Sequence, residues 1–327
     1  MGAETEGEVG GSAVVVLGLQ PSALVDHVAR VDWSLLHRTP GEIGGSQQVA
    51  IKDLEHILSE VNTHILPLVD DISPIRTIAG GSIANTVRGL TAGFGLSCGI
   101  IGACGDDDQG QLFVDNMSFN GVDLSRLRTK KGHTAQCACL VDAKGNRTMR
   151  PCLSSAVRLQ ASELRTEDFK GAKMVREYRT PLLELLESGN IDLCFANEDE
   201  ARELLRGESN TDPEAALAFL AKYCRWSVIT LGSKGCIAKH EKEVARVPAV
   251  GEAHATDATG AGDLFASGFI YGLVNGLSLE ECCKVGTCSG GSVTRSLGGE
   301  VRPENWQWMY KQMQAKGLPI PPFAKNV

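Results

Sequence analysis

Hydrophobic positions come in short blocks whose spacing changes along the chain. Ala13 to Leu19 is an unbroken apolar run, short and β-branched, and reads as a buried strand. Ala23 to Val31 alternates loosely after Gln20-Pro21-Ser22, and His37 to Gly45 is rich in turn formers. From Ile51 to Val69 the apolar residues Ile51, Leu54, Ile57, Leu58, Val61 and Ile65 have helical spacing. Gly80-Gly81-Ser82 opens a second helix, to about Ala92. Gly93 closes it, and Leu96 to Ile101 follows as a strand. Asp108 to Asn120 is helical and stops at Gly121. A helix followed by a buried strand is the rhythm of an open α/β sheet.

Thr134 to Val141 and Arg147 to Cys152 alternate with period two, and Asp142-Ala143-Lys144-Gly145-Asn146 joins them as a hairpin turn. A half-exposed hairpin within an α/β chain reads as a projecting flap. Trp226 to Leu231 and Cys236 to His240 are strands around the tight turn Gly232-Ser233-Lys234-Gly235. Asp263 to Asn275 is a helix ended by Gly276. Ser278 and Glu281 make a capping box for another helix, Leu279 to Arg295. There is no internal repeat and no low-complexity linker.

Composition narrows the class. The 327 residues suffice for one large α/β domain with a small appendage. With 43% hydrophobic and 22% charged residues, the chain is ordinary for a globular protein. A net charge of −8 without a basic block argues against nucleic-acid or membrane-surface partners. No apolar run approaches the roughly 20 residues of a membrane span. Met1 to Gly11 has three Glu and no Lys or Arg, unlike a secretory signal or a transit peptide, so a cytoplasmic location is expected. Glu6 stands where an N-myristoylation signal needs Ser or Thr. Eleven Cys, none in a Cys-x-x-Cys pair, read as scattered buried thiols rather than a disulfide framework or zinc site.

The chemistry concentrates in Asp257-Ala258-Thr259-Gly260-Ala261-Gly262-Asp263. Gly260, Ala261 and Gly262 are small and a helix follows at once, so backbone N–H groups and the positive helix end can face an anion. Asp263, in the first turn, could accept a proton from an attacking hydroxyl. A plain loop with Asp263 as a helix cap accounts for the same residues.

This segment resembles the second signature of the PfkB family, the ribokinase-like sugar and nucleoside kinases: Asp-Thr-x-Gly-Ala-Gly-Asp, with Ala258 in place of Thr. The resemblance makes Asp263 the catalytic base and Gly260, Ala261 and Gly262 the anion hole, with Asp257 and Thr259 at the nucleotide. Gly80-Gly81-Ser82-Ile83-Ala84-Asn85-Thr86 is similar to the first signature, where Gly80, Gly81 and Asn85 would contact substrate hydroxyls. Gly102-Ala103-Cys104-Gly105-Asp106-Asp107 resembles its continuation. Asp26 is similar to the family's early Asp, whose carboxylate suits a diol because it accepts two O–H bonds. Asn197-Glu198-Asp199-Glu200 resembles the Asn-x-x-Glu motif, implying Asn197 and Glu200 near Mg²⁺ and its waters. An acidic first turn on a solvated helix would look alike. Thr230 to Gly235 is similar to the nucleotide-binding turn, with Thr230, Gly232 and Gly235 beside ATP. No Walker-type P-loop is present.

One interval departs from the pattern. Only 22 residues separate Met174 from Asn197, where the family would hold a strand, a helix and another strand. Such a unit takes roughly 30 residues or more. Val175-Arg176-Glu177-Tyr178-Arg179-Thr180-Pro181 follows Met174 at once, and Leu182 to Glu187 reads as a helix. An internal deletion near Met174/Val175 is expected, and with it a sheet of fewer strands.

The resemblance thus implies one domain over 1–327, a three-layer α/β/α sandwich with a mainly parallel sheet. A small β lid is expected near 20–45 and 133–153, with free tails at 1–11 and 318–327. It implies an ATP-dependent kinase using Mg²⁺, and possible activation by a monovalent cation such as K⁺ as in many relatives. The acceptor is a small molecule. The wording of the 80–86 segment lies nearer the nucleoside branch, so a nucleoside is expected. A free sugar such as ribose or a ketose is the alternative, as is a catalytically impaired, regulatory isoform.

Overall fold

The computed structural model describes residues 15–66, 75–154, 156–169, 172–176, 186–251 and 255–326. In chain order the strands are β1 (Val15–Gln20), β2 (Leu24–Arg30), β3 (Ile75–Gly80), β4 (Ser97–Gly105), β5 (Leu127–Lys130) and β6 (Ala135–Val141). The others are β7 (Arg147–Cys152), β8 (Ala172–Arg176), β9 (Leu193–Asn197), β10 (Trp226–Thr230), β11 (Cys236–His240) and β12 (Glu243–Val247). The helices are α1 (Trp33–Arg38), α2 (Ile51–Val61), α3 (Ser82–Phe94), α4 (Asp108–Phe119), α5 (Glu198–Leu204), α6 (Pro213–Leu220), α7 (Ala261–Val274), α8 (Leu279–Val293) and α9 (Pro303–Ala315).

One sheet, ordered β5-β4-β1-β8, is parallel throughout. Its middle strands are apolar on both faces, as a sheet covered by helices requires; Val16, Leu17, Ile100 and Ile101 are all buried. A second sheet runs β12-β11-β10-β9, with β9 parallel to β10 and the remaining pairs antiparallel. The third, β3-β2-β6-β7, is the lid: β2 pairs parallel with β6 and antiparallel with β3, while β6 and β7 form the expected hairpin. One lid face packs on α1 and α2 through Ala29, Ala138, Leu140, Leu35, Leu54 and Ile57. The opposite face carries Val28, Ile78, Cys137, Cys139 and Val141 against Leu297.

The main core lies between α3, α7, α8 and α9 and the parallel sheet. Ile83, Val87, Leu90 and Phe94 of α3 meet Ile270 and Tyr271 of α7, Val285 and Cys288 of α8 and Met309 of α9. Phe94 stacks on Tyr271 with ring centroids 4.6 Å apart. Buried along most of its length, α7 has its first turn positioned by packing rather than by its loop.

Several expectations are corrected. Gly93 does not close α3; the helix runs to Phe94, and Gly95 is the left-handed cap at φ 68°. Gly93 instead sits beneath the Trp306 ring. The helix from residue 51 ends at Val61, and 67–74 lie outside the described residues. Residues 318–326 are no free tail. Leu318 and Ala324 are buried, Phe323 meets Tyr310 edge-on, and Pro322–Asn326 forms a short 3₁₀ turn. Residues 1–11 and most of the expected 182–187 helix lie outside the described residues.

The central sheet is interrupted. β8 pairs with β1, and β9 with β10, but among the described residues no ladder joins β8 to β9. Between them lie only residues 177–192, too few for a βαβ unit. The break falls where the interval is short.

Candidate active site

The site is built at the start of α7. Gly260 is its N-cap, in left-handed conformation at φ 77° and with no side-chain cap. A Cβ there would lie 2.8 Å from Cα of Gly299, so both backbone angle and close approach require Gly. First-turn N–H groups of a helix lack intrahelical acceptors, and Ala261 and Gly262 line an open cleft. Asp257 and Thr259, expected at the nucleotide, are bonded to each other. Asp257 is fully buried. One carboxylate oxygen accepts from the Thr259 N–H (2.8 Å) and hydroxyl (2.7 Å), and the other from the Gly298 N–H (2.8 Å). The pair ties the loop to the chain at 298.

Asp263 stands in the first turn of α7. Its Oδ2 accepts from Asn85 Nδ2 at 2.9 Å, and the Ser82 side chain also donates to it. Burial raises its carboxyl above the ordinary range, while Asn85, Arg147, Ser82 and Arg88 pull the other way. Arg88, on α3 and buried, donates to Asn85 Oδ1 (2.7 Å) and to the carbonyls of Ala79 (2.7 Å) and Gly299 (3.1 Å). A guanidinium has only donors. The Asn85 atom facing it is therefore the oxygen, and the amide nitrogen must face Asp263. Arg88 thus sets the amide orientation that supports the carboxylate. Asn85, expected at substrate hydroxyls, is 4% exposed and engaged on both sides.

Gly81 precedes α3 at φ 95°, and the Gln20 side chain holds this turn by accepting from Ala84 N–H (3.0 Å) and donating to the Gly80 carbonyl (3.2 Å). The Asp26 carboxyl presses on Gly80 so closely that no Cβ fits there. Asp26 is 2% exposed, and among the described residues its Oδ1 meets no N–H or O–H donor, the Cys139 thiol alone hydrogen-bonding to the carboxyl. Burial pushes its carboxyl up to about 7.

A cleft of about 980 Å³ joins the loop to the lid and to the ends of β9 and β10. The volume is of the size that ligand sites occupy. Val31, Trp33, Ile43 and Leu66 form an apolar wall on the lid side, while Lys144 and Arg147 enter from the hairpin. Arg147 donates to the Ala258 carbonyl at 2.9 Å, joining the lid to the loop before α7.

Asn197 and Thr230 end β9 and β10 and line the cleft, as does Gly232. Gly235, expected beside nucleotide, is buried and packs against the backbone of Val247 and Ala249. Asn197 Oδ1 caps α5 by accepting from Asp199 and Glu200 N–H, both at 2.9 Å. Glu200 Oε2 accepts in return from the Asn197 N–H at 2.9 Å, a capping box. Glu200, expected at Mg²⁺, thus has one oxygen engaged and one outward. Glu198 and Asp199 line the cleft beside it. One to three exposed carboxylates fit Mg²⁺ held with most of its waters.

The sequence model of the pfkB family carbohydrate kinases matches residues 66–176 and 167–305, which together span 66–305 of the chain. The chain belongs to the pfkB family of carbohydrate kinases. The two stretches meet beside the interruption in the sheet. Adenosine kinase from Sinorhizobium meliloti is 26% identical and superposes with a TM-score of 0.77 over 93% of this chain and 100% of that one. A probable sugar kinase from Rhizobium etli CFN 42 has a TM-score of 0.78 at 24% identity, over 94% of this chain and 99% of that one. A 5-dehydro-2-deoxygluconokinase from Geobacillus thermodenitrificans is 24% identical over 265 residues, 66% of this chain and 78% of that protein. The fold is ribokinase-like, and the family's members are phosphotransferases that use ATP on sugars or nucleosides. Among the described residues no helix is long and apolar enough to cross a membrane.

Reading the sequence did not single out Ser82, Arg88, Lys144 or Arg147. Ser82 stood inside a quoted motif, as a capping type at a helix start. Arg88 gave no signal beyond a charge in an apolar helix, and Lys144 and Arg147 looked like hairpin polarity.

Proposed function

We propose that this chain transfers the terminal phosphoryl group of ATP to a hydroxyl of a nucleoside. Asp263 accepts the hydroxyl proton, and the N–H groups over Gly260, Ala261 and Gly262 stabilise the charge that develops on the transferring group. The observation that carries this reading is the setting of Asp263. It is a desolvated carboxylate oriented by Asn85 and Ser82, in the first turn of a helix whose N-terminus lines a cleft. Asp26, buried with an unpartnered oxygen, supplies an acceptor for a substrate hydroxyl. Arg147 brings a positive charge from the lid to the same loop, where closure would exclude water. Mg²⁺ at Asn197, Asp199 and Glu200 would neutralise phosphate charge.

The apolar wall of Val31, Trp33, Ile43 and Leu66 favours a nucleobase on the acceptor, since a free sugar offers little to cover such a surface. The free thiols of all eleven cysteines suit a reducing compartment such as the cytoplasm. An ADP-release assay comparing adenosine, inosine and guanosine with ribose and hexoses tests the reading. Turnover on nucleosides is expected, and turnover on hexoses alone would sink the nucleoside assignment. A second reading, a kinase-like chain with impaired activity after an internal deletion, is favoured by the unjoined edges of β8 and β9. Restoring a strand-helix-strand segment at 176/177 would then raise turnover, and no change would count against it.

A further inference from the structure

The lid carries two buried thiols that the proposed phosphoryl transfer does not use, beside Asp26, which it does. Cys137 and Cys139 lie two residues apart on β6 and so share a face. On the neighbouring strand β2, Asp26 is in register with Cys137. One ligand atom from each of Asp26, Cys137 and Cys139 lies within 4.8 Å of the other two, and all three residues are buried. The two sulfurs are 3.6 Å apart. Two thiolates on one tetrahedral zinc, each at about 2.3 Å, lie about 3.8 Å apart, so the sulfurs already stand near a ligating separation. The cluster also has room for a stronger partner: among the described residues no N–H or O–H donor reaches the buried Asp26 Oδ1, and only the Cys139 thiol hydrogen-bonds to that carboxyl.

We propose that Asp26, Cys137 and Cys139 form a site for a thiophilic divalent cation of the Zn²⁺ type, and that the cation and the phosphoryl acceptor exclude each other. Two thiolates and one carboxylate around a dication leave one net negative charge. The Arg88 guanidinium, which acts electrostatically on Asp26, offsets it. Zn²⁺ prefers sulfur and Mg²⁺ oxygen and water, so the site is distinct in chemistry from any Mg²⁺ position at the mouth of the cleft. Binding converts two S–H groups to two metal–sulfur bonds, releases those two protons and any proton held by the Asp26 carboxyl to solvent, and moves no electrons. A three-residue set leaves a fourth position for water. Exclusion of the acceptor rests on the proposed role of Asp26 in holding a substrate hydroxyl; binding of the cation does not.

The test is a titration of the full chain with Co²⁺ under reducing conditions, followed by Zn²⁺ displacement. One equivalent of Co²⁺ should give a near-ultraviolet thiolate charge-transfer band and the strong visible bands of tetrahedral cobalt. Zn²⁺ should abolish both, and Zn²⁺ added instead to the metal-free chain should release at least two protons per ion. Cys137→Ser and Cys139→Ser should each lose the band, with melting curves confirming that they fold. An unchanged band in the double variant would assign the metal to other cysteines and overturn the site, as would no band in the folded wild type. Adenosine, or whichever acceptor supports ADP release, should raise the apparent Co²⁺ dissociation constant at least about tenfold, about 1.4 kcal/mol. A cobalt spectrum indifferent to a bound acceptor would overturn the exclusion. If no acceptor is turned over at all, the spectrum still decides the metal site.

Discussion

The two ends of the cleft are built in different ways. At the α7 end, Asp263 is supported by residues far away in sequence. Asn85 and Ser82 come from α3, Arg88 orients Asn85, and Gly298 holds Asp257. At the α5 end, Asn197 and Glu200 support each other across three residues, in the open. The first arrangement needs the whole core to be in place before the carboxylate has its setting. The second needs one turn of helix. Buried, convergent side chains with perturbed carboxyls mark where chemistry is oriented, whereas an exposed capping box is compatible with function without requiring it.

This contrast can be broken by substitution. Gly260→Ala should have the largest effect, about 10³-fold on kcat, because a methyl group meets Gly299 and the left-handed backbone is strained. The same strain should cost about 1–3 kcal/mol of stability, read from denaturant unfolding. Arg147→Ala should lower kcat about 10²-fold by removing a charge from the loop. A change confined to KM would show that Arg147 only assists binding.

Asn85→Ala should lower kcat about tenfold near neutral pH and reshape the pH profile. As the proposed base Asp263 would work deprotonated, so turnover should be lost as pH falls through its titration. Burial already places that limb above the ordinary carboxylate range. Removing the Asn85 donor, which stabilises the charged form, should move the limb further up. A limb that stays put would detach Asn85 from the base. Arg88→Met should shift the limb the same way, and add little in an Asn85→Ala background if it acts through that amide.

Glu200→Gln should matter least, about two- to threefold in kcat, since Gln can still close the capping box and the acidic turn retains Glu198 and Asp199. A loss as large as that of Gly260→Ala would overturn the account of the α5 end. It would make Glu200 the principal Mg²⁺ ligand.

Much of the layout was legible in sequence because it depends on local rules. The hairpin of β6 and β7, the short strands and the helix that follows Gly260, expected from Asp263 and starting at Ala261, all follow from spacing and turn residues. The order of motifs put Asp263 in the first turn of a helix, Gly80 just before one and Asn197 at the end of a strand, as the structure has them. Positions in space were less accessible. The resemblance puts Asn85 at substrate hydroxyls, and only the packing of α3 on α7 shows it turned toward Asp263. Arg88, which the sequence did not single out, is buried among carbonyls that sequence spacing cannot bring together. Gly235 shows the reverse: it resembles a ligand-facing glycine but is required by Val247 and its neighbours. The cap after α3 moved from Gly93 to Gly95 because Trp306 occupies the space over Gly93. The short interval after Met174 was visible by counting, and the structure shows β8 and β9 without a shared ladder at that place.

The central claim is that Asp263 is the base of a phosphoryl transfer. Its most direct measurement is single-turnover transfer from ATP to the best acceptor by wild type and by Asp263→Asn, both with the acceptor saturating. The account predicts about a 10³-fold slower transfer with ATP affinity unchanged. Equal transfer rates in the two proteins would contradict it.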